Sequence, residues 1–503
     1  MSVILTLDEL KKYESDYSLV PVAKAIMSDA VTPIEVMRRL KAVSSRTYIL
    51  ESVVNQAYTG RYTFLGFDPV LSISLKNGEM DVTYIREDRK EKITIEAGAD
   101  DSEEGKYSAP GKFIRKLMSS YRSPKIDTLP GFTGGLVGYF SFDYIKYSEP
   151  SLVLDAEDTD DFKDMELMLF DKCIAFDNIK QRIVLIKNVS TDNLNENYAE
   201  ALAELDELEH LILYKEKGVI PKGRLLSDFR ALFTKEEYME MVEKGKKYIY
   251  EGDIFQVVLS NRLEADFAGS LFDTYRQLRA MNPSPYMFYF DIDGTEIAGA
   301  SPETLVKLDN GNLYTFPLAG TRPRGKTPQE DRDLEAGLLK DEKELAEHNM
   351  LVDLGRNDLG KISRFGSVEV LDYMSVMRYS HVMHISSTVK GRIDDLRYDA
   401  EDAVAAVLPA GTLSGAPKIR ACEIINELEK NKRGIYGGAI GYIDFAGNMD
   451  TCIAIRFAVK KDGKVFVRSG AGIVADSDPA TEYQESLNKA QAVVNALNEA
   501  SVM

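Results

Sequence analysis

Two glutamates stand beside an apolar run in a stretch that is predicted to be helical. In KELAEHNMLVDLGRND, residues 343–358, Glu344 and Glu347 are three positions apart and share one face of a helix. The residues that follow are apolar on nearly every side, which is typical of a buried helix. Burying two carboxylates without positive partners is costly. The stretch therefore predicts a positive partner near Glu344 and Glu347.

A second predicted helix repeats this spacing of acids near the end of the chain. Asp478 and Pro479 form a good helix start, and Glu482, Glu485 and Lys489 follow on one face. Four carboxylates without cysteine suit a hard cation, and Mg²⁺ is the natural choice. The alternative is two solvated acidic faces, since Glu-x-x-Glu is a common pattern.

One arginine lies in an otherwise apolar predicted strand, TCIAIRFAV, residues 451–459. Strand alternation places Arg456 among Cys452, Ala454 and Ala458, whose small side chains leave room for a ligand. A guanidinium can hold a carboxylate through two parallel hydrogen bonds. The pattern predicts an anion-binding arginine or, alternatively, an arginine paired with a structural acid.

Three glycine-bearing loops could bring backbone N–H groups close to an anion. They are PLAGTRPRG (317–325), AGTLSGAPK (410–418) and SGAGIVADSDP (469–479). Each alone is an ordinary turn, and none matches a nucleotide-binding pattern. Together with Thr321, Thr412 and Arg456 they indicate a site for a small polycarboxylate. His384, predicted to point off a strand, and Tyr436, before two glycines, could be either structural or functional.

The bulk composition excludes several classes of function. The chain has 503 residues and a net charge of −19, so nucleic acid and anionic membrane surfaces are poor partners. We expect no signal peptide and no membrane span, because apolar runs are short. Three scattered cysteines and four histidines favour a cytoplasmic protein without a zinc site.

The elements that position these residues are predicted from polar boundaries and turns. Residues 97–112 are interpreted as an internal loop, and residues 214–229 as a linker between domains 1–220 and 221–503. Three Asx-Gly pairs predict β-hairpins, at Asp293-Gly294, Asn310-Gly311 and Asp462-Gly463. Thr234 and Thr327 are predicted helix caps. Hairpins mixed with helices favour an α+β fold over a doubly wound parallel sheet.

Eight motifs in order resemble one known family. They are SPETLV, PLAGTRPRG, KELAEHNMLVDLGRNDLG, VMHISSTV, AGTLSGAPKIRA, YGGAIGY, DTCIAIR and GAGIVADSDPATEYQE. This set, spanning roughly residues 300 to 490, resembles the chorismate-utilising enzymes, and most closely the anthranilate synthase component I group. The resemblance implies an α+β fold with a large two-sheet β-sandwich flanked by helices.

The resemblance also implies roles for the acids and their neighbours. Glu347 and Glu485 are expected to ligate Mg²⁺, and Glu344 and Glu482 to hold its water shell, so that the metal binds the ring carboxylate of chorismate. The remaining substrate-binding positions are expected to be Gly320, Thr321, Tyr436, Arg456, Gly470, Gly472 and Lys489. The catalytic positions are expected to be Glu303, His384 and Thr412.

The implied reaction adds ammonia to the ring carbon beside the carboxylate and expels the C4 hydroxyl. Glu303 resembles the general acid for that leaving group, and His384 the histidine associated with loss of pyruvate. Relatives that add water carry a lysine where this chain has Gln256, and aminodeoxychorismate synthases commonly carry a lysine where it has Ala319. Their absence favours anthranilate synthase over aminodeoxychorismate synthase, which is the nearest alternative.

The source of ammonia and a regulator are implied as well. No cysteine lies in an amidotransferase elbow, so a separate glutamine amidotransferase subunit, in a heterotetramer, is expected to supply ammonia. A tryptophan site for feedback inhibition is expected at the positions Glu51, Ser52, Pro285, Tyr286, Met287, Ile440, Gly441 and Tyr442. The alternative for these eight is ordinary packing between domains.

Two rival functions are less compatible with the sequence. A non-catalytic amino-acid sensor descended from the enzyme would not need the carboxylates together with Arg456 and His384. A Mg²⁺ phosphatase would need aspartate-rich metal motifs, which the chain lacks.

Overall fold

The protein is seen in a computed structural model, which describes residues 2–52, 60–99, 101, 105–378 and 382–502. Parts of the predicted loop at 97–112 lie outside these described residues. The α-helices of the described chain are α1 (Leu7–Leu10), α2 (Pro33–Leu40), α3 (Pro110–Ser119), α4 (Ile145–Ser148), α5 (Leu194–Tyr214), α6 (Lys235–Tyr250), α7 (Phe272–Met281), α8 (Pro328–Leu338), α9 (Glu342–Gly360), α10 (Ala400–Val407), α11 (Lys418–Glu429) and α12 (Pro479–Val502).

The strands range from 2 to 13 residues and are distributed along the described chain. In chain order they are β1 (Ser2–Val3), β2 (Leu19–Met27), β3 (Arg46–Glu51), β4 (Tyr62–Phe67), β5 (Leu71–Lys76), β6 (Glu79–Tyr84), β7 (Arg89–Ile95), β8 (Lys106–Tyr107), β9 (Gly135–Phe140), β10 (Met165–Phe170), β11 (Lys172–Asp177), β12 (Arg182–Ser190), β13 (Arg224–Leu225), β14 (Arg230–Ala231), β15 (Gln256–Ala268), β16 (Tyr286–Ile292), β17 (Thr295–Ser301), β18 (Thr304–Asp309), β19 (Asn312–Thr315), β20 (Leu318–Pro323), β21 (Glu369–Arg378), β22 (Val382–Arg392), β23 (Gly415–Ala416), β24 (Ala439–Asp444), β25 (Met449–Ile453), β26 (Phe457–Lys461) and β27 (Lys464–Ile473).

These strands form two large sheets that are antiparallel apart from the β7–β8 pair in the described chain. The first sheet runs in the order β1-β2-β12-β11-β4-β3-β16-β17-β26-β27-β15-β13, with β14 and β23 paired to β15. The second runs β20-β22-β19-β18-β25-β24-β9-β10-β5-β6-β7-β8, with β21 paired to β22. The predicted α+β fold with two large sheets and flanking helices is confirmed.

Aromatic side chains pack the two sheets together. Tyr48 of β3 meets Phe170 of β10 with ring centroids 4.8 Å apart. Phe64 of β4 meets Tyr442 of β24 at 6.4 Å. Each pair joins one sheet to the other, so the apolar core lies between them.

Both sheets contain strands from each side of the predicted domain boundary at residue 220. β3 pairs with β16, and β9 pairs with β24, so each sheet takes strands from both sides of position 220. The division into 1–220 and 221–503 stays a prediction.

The three predicted hairpins are present and have the backbone that their turn residues favour. They join β16 to β17, β18 to β19 and β26 to β27. Both residues of each Asx-Gly turn have positive φ, for example 51° at Asp293 and 94° at Gly294. This geometry matches the twist of paired strands.

One predicted strand is wrong, because the chain changes sheets within it. β25 ends at Ile453 in the second sheet, and β26 begins at Phe457 in the first. Arg456 lies in the crossover with φ of 56°, a left-handed conformation that interrupts strand alternation. The chain makes the opposite change between β17 and β18, where Glu303 lies. Ile453 donates its N–H to the Glu303 carbonyl at 3.0 Å, which ties the two crossovers together.

Candidate active site

A cavity of about 720 Å³ lies where the sheet crossovers meet α9 and α12. Every residue predicted to be catalytic, substrate-binding or metal-binding lines it. They are Glu303, Gly320, Thr321, Glu344, Glu347, His384, Thr412, Tyr436, Arg456, Gly470, Gly472, Glu482, Glu485 and Lys489. The structure therefore brings these residues together, while their individual roles stay predictions.

The two acid-bearing helices face the cavity from different sides. α9 is buried on one face only, through residues such as Leu351 and Val352, so the prediction of a helix buried all round is wrong. Arg322 lies 3.5 Å from Glu344, and Lys489 lies 2.7 Å from Glu485. Arg322 is thus a positive partner for Glu344, as predicted, whereas Glu347 has no ion pair among the described residues.

Within each helix, the negative charge of one glutamate nevertheless disfavours ionisation of the other. Burial raises the pKa of Glu347, and the charge of Glu344 raises it further. Burial also raises the pKa of Glu482, to which the charge of Glu485 adds. Among the described residues no three acidic, histidine or cysteine groups converge closely enough to hold one metal ion. Oxygen donors that repel one another around a cavity fit a hard cation that draws them together.

Glu303 has the properties of a general acid. It is half-buried, and Thr412 donates its hydroxyl to Glu303 Oε1 at 3.1 Å. Burial raises the pKa of Glu303 to about 7, although the Thr412 hydrogen bond lowers it. A carboxyl group with this pKa carries a proton for a large part of the time at neutral pH.

His384 lies on β22, as predicted, and is held by the glycine loop across from it. Its Nδ1 lies 2.9 Å from the Gly320 carbonyl oxygen and 3.2 Å from the Thr321 hydroxyl. A carbonyl can only accept, so Nδ1 carries the proton and Nε2 the lone pair. Burial lowers the pKa of His384, which favours the neutral ring.

Arg456 lines the cavity and has no acid partner among the described residues. No carboxylate in the described chain lies within ion-pair distance of its guanidinium, although it is largely enclosed. The alternative of a structural ion pair is therefore wrong for the residues described. Buried Tyr436 lies nearby, and its pKa is raised to about 12 by burial.

The glycine loops come so close to their neighbours at the cavity that a side chain would not fit at two of the glycines. A Cβ on Gly320, whose φ is 64°, would lie 3.1 Å from Glu344 Oε2. A Cβ on Gly472 would lie 2.6 Å from Gln256 Nε2. Lys489 donates to the Gly470 carbonyl at 3.1 Å, which fixes its ammonium at the wall.

The predicted tryptophan-binding residues lie on or beside β3, β16 and β24, and Pro285 alone among these eight lines the cavity. Met287 pairs with Glu51 across β16 and β3, which brings the segment 285–287 next to Glu51 and Ser52. Ile440, Gly441 and Tyr442 lie in β24 of the second sheet, which pairs with β25. One link between the two sheets here is the Tyr286 hydroxyl, which donates to Asp450 of β25 at 2.7 Å.

Glu51 is already engaged in this region. Its carboxylate accepts from the Tyr275 hydroxyl, lies 2.7 Å from Arg279 Nε, and accepts from the Thr63 hydroxyl at 3.2 Å. A ligand ammonium would therefore share an occupied carboxylate.

Sequence reasoning missed the cavity-lining charges of Arg468 and Lys343, of which Arg468 is the more buried. Arg468 lines the wall and is bonded to Glu429, which also holds Arg433. The available signal was an arginine inside the apolar run KVFVRSGAG, which requires a buried partner.

The helices of the described chain include none with the length and apolarity needed to cross a bilayer.

Comparison with known proteins identifies the family. Residues 51–495 match the family described as chorismate binding enzyme. The anthranilate synthase component 1 proteins of Acetivibrio thermocellus and Acinetobacter calcoaceticus are each 43% identical to this chain. The former match covers 98% of both chains, and the latter covers 99% of this chain and 98% of the relative.

Solved structures agree with this assignment. Anthranilate synthase component I from Streptococcus pneumoniae TIGR4 superposes with a TM-score of 0.71 at 36% identity, covering 93% of this chain and 98% of that chain. The menaquinone-specific isochorismate synthase MenF of Escherichia coli has the same fold, with a TM-score of 0.67 at 19% identity over 98% of each chain. The chain belongs to the chorismate binding enzyme family, among its anthranilate synthase component 1 members.

Proposed function

We propose that this chain converts chorismate and ammonia to anthranilate, pyruvate and water. The observation that carries the proposal is the distribution of charge in one cavity. Arg456 has no acid partner among the described residues, and two pairs of glutamates face the same space. A dicarboxylate bound with a divalent cation would satisfy both sets of charges.

Mg²⁺ is the proposed cofactor. Glu347 and Glu485 would ligate it, and Glu344 and Glu482 would hold its water molecules. When bound, the ion would neutralise the ring carboxylate and draw electron density towards it, which favours attack on the ring. Arg456 and Tyr436 would hold the enolpyruvyl carboxylate, so the two ends of the substrate have separate anchors.

Glu303 would supply the proton in the first step. Ammonia adds to the ring carbon beside the carboxylate, the ring double bonds shift, and the C4–oxygen bond breaks. Hydroxide is a poor leaving group, so transfer of the Glu303 proton lets it depart as water. The raised pKa of Glu303 keeps that proton available at neutral pH.

His384 would act in the second step. The proton on the aminated ring carbon is removed, the bond to the enolpyruvyl oxygen breaks, and pyruvate leaves as the ring becomes aromatic. A neutral imidazole with its lone pair on Nε2 has the protonation state that a base needs.

The proposed source of ammonia is a component II subunit that hydrolyses glutamine. The three cysteines, Cys173, Cys422 and Cys452, are all buried, so none is placed to be an accessible nucleophile. Their reduced state also suits the cytoplasm, where we place the enzyme.

We further propose feedback inhibition by tryptophan at the residues gathered around β3, β16 and β24. Support comes from the β3–β16 pairing, which places Glu51 beside Met287, and from the hydrogen bond of Tyr286 to Asp450 of the second sheet. Pro285 lines the catalytic cavity as well, so the two sites share a wall.

Incubation of the purified chain with chorismate, Mg²⁺ and ammonium tests the reaction. We expect fluorescent anthranilate and pyruvate in equal amounts, loss of activity with a chelator, and no turnover when glutamine replaces ammonium. An aminated ring that keeps its enolpyruvyl group would overturn the proposal in favour of aminodeoxychorismate synthesis. Turnover of glutamine by the chain alone would contradict the need for component II.

A further inference from the structure

A buried charge cluster lies in the cavity wall and has no role in the chemistry above. It consists of Glu429 at the end of α11, Arg433 in the loop that follows, and Arg468 in β27. Their side chains are 0%, 1% and 5% exposed, respectively. A net charge removed from water to this extent is costly unless something balances it.

Glu429 holds both arginines and stays ionised. Arg433 donates to its carboxylate from Nε at 3.0 Å and from Nη2 at 2.5 Å, and Arg468 donates from Nη2 at 2.9 Å. Ser260 adds its backbone N–H at 2.7 Å and its hydroxyl at 3.0 Å. Burial acts to raise the pKa of Glu429, but attraction to Arg433 and Arg468 outweighs it and leaves the pKa lowered.

The other donors of the two guanidinium groups reach neutral acceptors. These are the carbonyls of Leu413, Val258 and Lys432, the Asn431 side-chain oxygen and the Ser260 hydroxyl. Two cations therefore share one anion, and the cluster carries a net charge of about +1. Nearby Arg262 is not counted in this cluster, because its own partners are Asp160 and Glu264.

The cluster reaches the cavity through Arg468 of β27. Arg468 lines the cavity together with Tyr436 and Arg456. The Arg433 guanidinium lies 5.8 Å from the Tyr436 ring centroid. The cluster therefore adds positive charge next to Tyr436, one of the two residues expected to hold the enolpyruvyl carboxylate.

We propose that Glu429, Arg433 and Arg468 are positioning residues that attract and orient the anionic substrate through their net charge, without contacting its reacting atoms. This inference rests on the proposed function, in which the ligand at this wall is a carboxylate. An anion in the cavity balances the net positive charge of the buried cluster. The hydrogen bonds of the two guanidinium groups hold that positive charge in a fixed position.

Three variants with different net charge separate this role from mere packing. Arg468→Gln leaves the cluster neutral, Glu429→Gln makes it doubly positive, and the double variant returns it to the native charge. We expect the KM for chorismate to rise roughly tenfold in the first, to stay level or fall in the second, and to return within threefold in the double variant, with kcat within threefold throughout. A purely structural cluster would raise KM in both single variants and most in the double variant.

Folding is monitored by circular dichroism and thermal unfolding, and Arg468→Lys serves as a charge-preserving control. If a single variant fails to fold, Arg468→Lys and the double variant decide the question. The proposal requires both to fold with KM within threefold of wild type, and a tenfold rise or loss of folding in either overturns it. Wild-type chain that fails to convert chorismate with ammonium would instead refute the proposed function, which keeps the two failures distinct.

Discussion

The catalytic cavity and the predicted tryptophan region treat buried charge in opposite ways. In the cavity, Arg456 has no acid partner in the described chain, and burial together with Glu344 raises the pKa of Glu347. In the tryptophan region, Glu51 is bonded to Tyr275, Arg279 and Thr63. The cavity therefore holds charged groups that a bound ligand can neutralise. In the tryptophan region, the charge of Glu51 already has partners within the protein.

This difference predicts how each region responds to its ligand. Substrate and cation should remove an electrostatic cost on binding in the cavity, so single charge changes there should have large effects. A regulator near Glu51 must compete with existing contacts, so single changes there should have moderate effects. The predictions below test the contrast from the largest expected effect to the smallest.

Glu347→Gln should lower kcat/KM by about 10³-fold or more, because it removes an expected direct ligand of the cation. Activity should need a higher Mg²⁺ concentration, measured by titrating Mg²⁺ against the initial rate. Glu342→Gln, at an exposed position in the first turn of the same helix, is the matched control and should stay within twofold. Near-native activity of the Glu347→Gln enzyme would contradict the conclusion that charged groups in the cavity are neutralised by the cation and substrate.

Glu303→Gln should lower kcat by about 10²- to 10⁴-fold, because an amide cannot give the leaving hydroxyl a proton. We expect the variant to fold, because the raised pKa of Glu303 means that its ionised form destabilises the folded state. The folded-state pKa of about 7 lies above the ordinary value of 4.5, so ionisation destabilises the folded state as the pH rises through that interval.

Thermal unfolding at pH 8 is the control for this variant. Glutamine carries no charge to bury, so the variant should unfold at the same or a higher temperature than wild type. A variant that is inactive because it is less stable at pH 8 would show that Glu303 is structural.

Local features of this molecule could be predicted from sequence because local chemistry determines them. The Asx-Gly turns formed as predicted, since few residues accept positive φ and a hairpin needs two of them. Glu344 with Glu347, and Glu482 with Glu485, share helix faces because the helical period is fixed. These acids meet in one cavity, which their separate spacings alone did not determine.

Long-range features were beyond such reasoning. The chain leaves one sheet for the other at Ala454, and a hydrogen bond from the Ser301 hydroxyl to the Ile453 carbonyl at 2.7 Å fixes that crossover. The sequence carries no turn signal at this crossover. The left-handed conformation there is adopted by Arg456, an arginine, and not by the Gly, Asn or Asp that usually marks it. The link between Glu429 and Arg468 likewise joins elements that are far apart in sequence.

Ser52→Ala should weaken tryptophan inhibition by about tenfold while kcat and KM stay within twofold. The hydroxyl is expected to contact the amino-acid ammonium, and its loss removes one polar contact from a region that is otherwise satisfied. The inhibition constant for tryptophan measures this effect. Ser74→Ala, at a half-buried serine in β5 of the other sheet, is the matched control. Unchanged inhibition would indicate that this region is ordinary packing.

Thr412→Val should shift the alkaline limb of the pH–rate profile upward by about one unit. The Thr412 hydroxyl donates to the ionised Glu303 carboxylate and so lowers its pKa, and deleting that donor raises the pKa above about 7. The acid form then persists to higher pH, and the rate falls later as the pH increases. Thr388→Val, in β22, should leave the limb in place and controls for loss of a hydroxyl elsewhere. A downward shift in Thr412→Val would mean that the limb reports another group, and the assignment of Glu303 as the acid would then fail even if Glu303→Gln is inactive.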